Sequence, residues 1–205
     1  AIRKTGIAPD YVAVDGGEGG TGAAPIEFSN HVGMPLTDGL VTVHNLLVGF
    51  GLRDNIRIIA SGKVTTGFKM ARLMALGADV CSSARAMMFA LGCIQARRCN
   101  ANDCPTGVAT QDRNLISGLV VQDKRKRICR YHAATLESLM ELVAAAGLVS
   151  PLELRPHHIY RRVEGYKVQT FGEIYEWLEP CQLLAADGIS PQYATMLEGT
   201  TADSF

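Results

Sequence analysis

The stretch that decides the fold is Arg57-Ile58-Ile59-Ala60-Ser61-Gly62, a short apolar run that ends in turn residues. Residues 11–15 (Tyr-Val-Ala-Val-Asp) and residues 78–83 (Ala-Asp-Val-Cys-Ser-Ser) repeat this pattern on either side of it along the chain. Short apolar runs bounded by turn residues are typical of buried parallel strands. Helix-like stretches at about residues 37–50 and 66–76 connect them. This alternation predicts an α/β fold with a parallel sheet.

The composition excludes several classes of protein. The chain has 205 residues, with 20 Lys and Arg against 20 Asp and Glu, and only 6% aromatic residues. Neither a basic field nor a set of base-stacking side chains therefore favours nucleic acid. No run approaches the roughly 20 apolar residues of a membrane span, and no signal-peptide core follows the first residues. We expect a cytoplasmic protein and, since the chain lacks an initiator Met, a fragment of a longer one.

Small or basic residues follow each of the three predicted strands directly: Gly16, Gly17, Gly62, Lys63, Ala84 and Arg85. The carboxyl ends of parallel strands are where α/β proteins place their sites. Backbone N–H groups at the following helix starts can bind phosphate, and two such starts in succession form the phosphate site of a (β/α)8 barrel. Ordinary helix capping is the alternative for either loop alone.

Residues 17–22 match the pattern GxGxxG, which in dinucleotide-binding folds opens a helix. Pro25 follows soon after, and no further βα unit with a ribose-binding acid is visible. A Rossmann-type NAD site is therefore disfavoured. A loop folded over a flat ligand or phosphate and a merely flexible loop remain open.

Three cysteines, Cys93, Cys99 and Cys104, form the pattern C-x5-C-x4-C-P. Three thiolates on one short loop, the last followed by proline, fit an iron–sulfur cluster. Zinc usually takes a fourth ligand and closer cysteine pairs. Three buried free thiols are the alternative. The other cysteines have no spaced partner and are interpreted as packing or incidental residues: Cys81, Cys129 and Cys181.

Other polar residues are interpreted as structural. Thr37 and Asp38 are expected to cap the first long helix, and His44 on that helix is expected to be a core histidine with a hydrogen-bond partner. His157 and His158 have no paired acid or cysteine at metal spacing. The basic run at residues 124–127 is interpreted as a solvated helix face, with an anion site as the alternative.

Four segments together resemble the FMN-binding synthase domain of glutamate synthase, and more closely the shorter glutamate synthase-related FMN-binding proteins. They are Asp-Gly-Gly-Glu-Gly-Gly-Thr-Gly-Ala-Ala-Pro at 15–25, Gly-Leu-Arg-Asp at 51–54, Ser-Gly-Lys-Val-Thr-Thr-Gly at 61–67, and the cysteine segment at 90–111, which ends in Cys-Pro-Thr-Gly-Val-Ala-Thr-Gln. Residues 156–162 also match a Pro-His-His-Ile-Tyr-Arg-Arg segment in the tails of the shorter proteins. The resemblance covers about residues 8–184.

The resemblance implies a TIM (β/α)8 barrel that binds FMN beside a three-iron, four-sulfur (3Fe-4S) cluster. The cluster ligands would be Cys93, Cys99 and Cys104. The FMN phosphate would lie on backbone donors around Gly62, Lys63, Ala84 and Arg85, and the loop that begins with Gly16 and Gly17 would lie near the flavin and the substrate. Electrons from ferredoxin or a pyridine-nucleotide-linked subunit would pass through the cluster to FMN. The reaction implied is reduction of 2-iminoglutarate, formed from 2-oxoglutarate and ammonia, to glutamate.

The same resemblance assigns only the last three βα units of the barrel to this chain, within residues 1–112, and a helical extension to 113–184. Residues 185–205 are expected to be a poorly ordered tail. The family's catalytic Lys and the first five strands would lie upstream of residue 1, so the chain would need that half as a partner and would bind FMN weakly alone. No glutaminase domain is visible. The alternatives are an FMN and iron–sulfur oxidoreductase with another substrate, or a non-catalytic iron–sulfur electron-transfer or interaction module.

Overall fold

A computed structural model describes residues 1–18, 24, 27–28, 31–185 and 188–202. Its main sheet has three parallel strands in the order β1 (Tyr11–Asp15), β2 (Arg57–Ser61) and β3 (Val80–Ser82). In the register, Tyr11 lies opposite Arg57 and Ile59 opposite Val80. The predicted α/β fold with a parallel sheet is confirmed.

Helices precede, connect and follow these strands: α1 (Ile2–Thr5), α2 (Leu36–Gly49), α3 (Gly67–Ala75) and α4 (Arg85–Leu91). The helix α2 joins β1 to β2, and α3 joins β2 to β3. Both lie within one or two residues of the predicted bounds, because their apolar positions follow the helical period and a positive-φ glycine lies shortly after each, at Gly51 and Gly77.

The two faces of the main sheet differ in burial. Ile58 and Ala60 of β2 are fully buried in the core formed with α2 and α3. On the other face, the side chains of Tyr11 and Val80 are 58% and 52% exposed. Because successive residues of a strand point to opposite faces, the whole second face of the sheet lies outside this core.

The chain continues past α4 into α5 (Arg113–Ile116), α6 (Val121–Ala145), β4 (Tyr160–Glu164), β5 (Lys167–Thr170), α7 (Phe171–Ile174) and α8 (Pro191–Leu197). The long helix α6 packs against α3 and α4, and it buries Leu139 and Val143. The strands β4 and β5 form an antiparallel hairpin, whereas the sequence predicts only a helical extension there.

The last described segment, residues 188–202, is attached to α2 by a buried amide. Asn45 is 1% exposed, and its Nδ2 donates to Tyr193 Oη at 2.6 Å and to the Glu176 carbonyl at 2.7 Å. Its Oδ1 accepts the Leu178 N–H at 3.2 Å. Tyr193 of α8 is itself 2% exposed. These contacts differ from the poorly ordered tail expected from the sequence, while residues 186–187 and 203–205 lie outside the described residues.

One guanidinium joins the loop after α2 to the amino ends of two strands. Arg53 donates to the carbonyls of Ile56 and Gly77 at 3.0 and 2.9 Å and to Asp79 Oδ2 at 2.8 Å. Its Nε donates to His44 Nδ1 at 3.3 Å, so His44 has the partner that the sequence predicts. Burial, and secondarily the charge of Arg53, lowers the pKa of His44 to about 4.

The lowered pKa of His44 makes stability depend on pH. The unfolded chain takes up a proton on this ring below pH 6.5, while the folded chain resists protonation down to about pH 4. The contribution of His44 to the free energy of unfolding is therefore complete above pH 6.5. It falls by up to about 3 kcal/mol as the pH drops from 6.5 to about 4. Urea unfolding at several pH values measures the slope. We expect His44→Gln to flatten it and His132→Gln, at an exposed position, to leave it unchanged; equal slopes in all three proteins would contradict the assignment.

Candidate cofactor site

The segments at the carboxyl ends of β1, β2 and β3 lie at one edge of the sheet, and hydrogen bonds join each segment to the next. The Gly16 N–H donates to the Ser61 carbonyl at 2.9 Å. Ser83 Oγ, after β3, donates to the carbonyl of Val64, after β2, at 2.6 Å. The structure therefore brings the three predicted binding loops together.

Two glycines leave the space that Leu36 occupies at this edge. A Cβ on Gly16 would lie 2.4 Å from Leu36 Cβ, and a Cβ on Gly62 would lie 3.1 Å from Leu36 Cδ2. Gly62 also has a φ of +153°, a backbone conformation that residues with a Cβ rarely adopt. The Gly17 N–H donates to the Met34 carbonyl at 2.9 Å, and a Cβ there would approach the Gly33 carbonyl oxygen to 2.9 Å. Each of these positions therefore favours glycine for packing, and Gly62 favours it for its backbone conformation as well.

The cap of α2 differs from the prediction. The helix begins at Leu36, with Pro35 before it, and the Leu36 N–H donates to Glu18 Oε2 at 2.8 Å. The prediction of Thr37 and Asp38 as caps was wrong, because the capping carboxylate comes from a residue 18 positions upstream. A carboxylate there also interacts favourably with the helix dipole.

The two helix starts predicted to bind phosphate are not equivalent. Thr66 Oγ1 accepts the Lys69 N–H at 3.2 Å, so α3 has a side-chain cap. The start of α4 at Ala84 and Arg85 has no side-chain cap bond, and Ala84 is exposed. Backbone N–H groups that lack a side-chain cap suit an anionic oxygen, so this edge fits the phosphate of a nucleotide-like cofactor.

Lys63 lies in the turn between β2 and α3. It is exposed and has a φ of +46°, which is uncommon outside glycine. Its carbonyl accepts the Lys69 ammonium at 3.1 Å. The turn after β2 is thus bonded to the first turn of α3.

The cysteine loop begins where α4 ends, at Gly92 with a φ of +116°. Asn102 organises its second half: Asn102 Oδ1 accepts the Gln111 N–H at 2.6 Å, and Thr110 Oγ1 donates to the Asn102 carbonyl. Arg98 pairs with Asp103 across the loop.

The three predicted ligand thiols share this loop, with Cys93 and Cys99 half-buried and Cys104 buried. A hydrogen bond with Thr106, 3.4 Å from Sγ, lowers the pKa of Cys104 to about 7 with the help of backbone N–H groups, against the effect of burial. Within residues 1–18, 24, 27–28, 31–185 and 188–202, no three His, Cys, Asp or Glu side chains converge on a point that could hold a metal ion. As arranged here, the thiols do not fit a cluster.

The remaining cysteines lie where the sequence predicts. Cys81 is in β3, where burial raises its pKa to about 11, Cys129 is exposed on α6, and Cys181 is exposed in the following segment. An un-ionised buried thiol is inert, which agrees with a packing role for Cys81.

Part of the basic run in α6 faces the cysteine loop. A cavity of about 510 Å³ beside Cys93 is lined by Thr106, Lys124 and Arg127 among others. Lys124 is half-buried, and its Nζ lies 3.1 Å from the position of a Cβ on Gly92. Residues 125–127 are exposed, as a solvated helix face requires, while Lys124 and Arg127 also line this cavity.

The GxGxxG segment contributes only its beginning to this description. Gly17 and Glu18 are described, while residues 19–23 lie outside the described residues. In the part of the chain that is described, no helix has both the length and the apolar character needed to cross a membrane.

An α/β sheet whose carboxyl edge carries glycine-dependent loops and a helix start without a side-chain cap is typical of cofactor-binding α/β proteins. Residues 1–149 match the family model described as the conserved region in glutamate synthase. The chain belongs to this family.

Two relatives show the extent of the match. The glutamate synthase large subunit-like protein YerD of Bacillus subtilis is 42% identical over 178 residues, which are 86% of this chain and 34% of that protein. The archaeal glutamate synthase [NADPH] of Methanocaldococcus jannaschii is 39% identical over 146 residues, 71% of this chain and 29% of that protein. The chain thus spans about a third of the length of these relatives. Among solved structures, a flavocytochrome b2 double mutant with sulfite bound matches the whole chain and 39% of its own at a TM-score of 0.48 and 15% identity, a likeness too low to carry an argument.

The packing of Gly16 against Leu36 can be tested by adding one methyl group. Gly16→Ala places a Cβ 2.4 Å from Leu36 Cβ, so α2 or the loop must move. We expect the free energy of unfolding to fall by about 1–3 kcal/mol in urea titrations. Gly118→Ala is the matched control, because a Cβ there would lie 3.4 Å from the Leu115 carbonyl oxygen, an ordinary van der Waals distance. A Gly16→Ala protein as stable as the control would show that the loop is not packed in this way.

Proposed function

We propose that this chain forms the carboxyl-terminal three βα units of an FMN-binding (β/α)8 barrel in a glutamate synthase-type oxidoreductase. The reaction proposed is the reduction of 2-iminoglutarate, formed from 2-oxoglutarate and ammonia, to glutamate in the cytoplasm. The observation that carries the proposal is the bonded set of three loops at the carboxyl edge of the sheet, in a chain of the glutamate synthase family.

In this proposal, different residues bind the FMN phosphate and lie beside the flavin. Backbone N–H groups around Gly62, Lys63, Ala84 and Arg85 would hold the FMN phosphate, with the uncapped start of α4 as the main donor. Gly16 and Gly17 would keep the first loop close to the flavin without adding side chains. When bound, FMN supplies hydride-transfer chemistry, and the chain orients it.

The exposed face of the main sheet supports a partial barrel. Tyr11 and Val80 are more than half exposed on the face that lies inside a closed barrel, away from the helices. The proposal places five further βα units and the catalytic Lys elsewhere in the natural protein. An electron donor of the ferredoxin or pyridine-nucleotide type would be its partner.

The cysteine loop is proposed to hold a 3Fe-4S cluster through Cys93, Cys99 and Cys104. Their spacing and family membership support this role. The loop would have to rearrange, since the three thiols do not converge as described.

The cofactor and the reaction can be tested on the protein in its full natural length. We expect bound FMN in the visible spectrum and glutamate formation from 2-oxoglutarate, ammonia and a reduced donor. Lys63→Glu adds a negative charge beside the phosphate, so the Kd for FMN should rise at least about tenfold. Lys167→Glu, on the exposed hairpin, is the matched control. Unchanged FMN affinity in Lys63→Glu would contradict the phosphate site, and flavin without glutamate formation would contradict the substrate.

The metal proposal has its own measurement. Anaerobically purified full-length protein should contain about three irons per chain together with acid-labile sulfide. Cys99→Ser should lose the iron, while Cys129→Ser, which changes an exposed cysteine on α6, should keep it. Zinc in place of iron, or iron retained in Cys99→Ser, would overturn the ligand assignment.

A further inference from the structure

A second cavity, of about 770 Å³, lies at the opposite edge of the main sheet from the cofactor site. Its walls come from α2 and the amino ends of the strands on one side, and from residues of the extension on the other. Arg57 begins β2 and Asp79 directly precedes β3, so this edge is separate from the carboxyl-edge loops. None of the residues in the proposed FMN or cysteine sites lines it.

The charges that line this cavity leave an excess of positive charge. Asp79 is already bound, because its Oδ2 accepts both Arg53 at 2.8 Å and the Ile58 N–H at 2.7 Å. The distance from Arg57 Nη1 to Asp79 Oδ1 is 3.5 Å, a long ion pair, and the Arg57 side chain is 65% exposed. Arg53, Arg57 and Arg155 face the carboxylates of Asp54 and Asp79, a net charge of plus one with the histidines neutral. The guanidinium groups with N–H groups directed to the cavity or to solvent are those of Arg57, whose ion pair with Asp79 is long, and of Arg155.

Arg155 is held in place before any ligand arrives. Its Nη1 donates to the carbonyls of Leu152 and Leu154, both at 2.8 Å. Among the described contacts, Nη2 and Nε have no acceptor, so these N–H groups remain for a ligand. A guanidinium anchored in this way loses little freedom on binding an oxyanion.

Aromatic rings form the remaining wall. His44 accepts a hydrogen bond at Nδ1, which assigns its proton to Nε2, and it meets Trp177 edge to face with ring centroids 5.7 Å apart. Met74 and Leu178 add apolar surface. Flat apolar walls with a few convergent polar donors are the usual construction of a small-molecule site.

We infer that this amino-edge cavity binds a small anion that carries a flat aromatic group, with Arg57 and Arg155 on the anionic oxygens and Trp177 beside the ring. Arginine forks match phosphate and carboxylate oxygens in geometry. The cavity volume is within the range of nucleotide-sized ligands. The inference does not depend on the proposed reaction at the other edge.

The fluorescence that a Trp177→Phe variant loses reports on this cavity, because it comes from Trp177 in the cavity wall. We expect AMP to change this fluorescence saturably, and adenosine, which lacks the charge, to bind at least about tenfold more weakly. Equal affinity for the two, or no saturable change with AMP, would overturn the inference.

Variants then locate the bound probe. Arg57→Gln should weaken AMP binding about tenfold, the loss of one charge-assisted hydrogen bond. Arg113→Gln, at an exposed position on α5, should leave it unchanged. Lys63→Glu should also leave it unchanged, which separates this cavity from the FMN edge. Circular dichroism shows that each variant is folded; folded Arg57→Gln with unaltered AMP affinity would contradict the site.

Discussion

The ion pair between Arg53 and Asp79 is the interaction on which both edges of the sheet depend. Their side chains are 17% and 15% exposed, so the pair is largely withdrawn from water. Losing one partner of such a pair typically costs about 3–5 kcal/mol, because the other charge stays buried. Asp79 also accepts the Ile58 N–H, and therefore fixes where β2 starts relative to β3. A slip of one residue would turn Ile58 and Ala60 away from the core.

The register of β2 also determines the position of the carboxyl edge of the sheet. The strand β2 is five residues long, so fixing Ile58 also fixes Ser61, whose carbonyl binds the Gly16 N–H. The proposed site at the carboxyl edge uses mainly backbone N–H groups, and the glycines there add no side chains that would cover them. The amino edge offers side chains instead, chiefly arginines held by carbonyls and carboxylates. One short strand therefore separates the two proposed anion sites, which would use different chemistry.

Local patterns were enough to predict the strands, α2 and α3, and the edge at which the candidate loops meet, since parallel strands place their carboxyl ends together. They missed contacts made between distant segments. Glu18 caps a helix 18 residues later, and Asn45 holds Tyr193 across 148 positions, with no local signal for either. The hairpin at 160–170 was missed because β4 is exposed along its whole length, so it shows no alternation of burial.

The cysteine loop shows why spacing alone does not define a ligand set. Its path depends on Gln95, Arg97 and Asn102, three residues other than glycine with positive φ, which no periodic pattern reveals. Asp103 Oδ2 pairs with Arg98, and its Oδ1 has no hydrogen-bond partner among the described residues. The convergence of three thiols would require this loop to rearrange, so the conformation of the loop, rather than the order of its cysteines, decides whether a cluster can form.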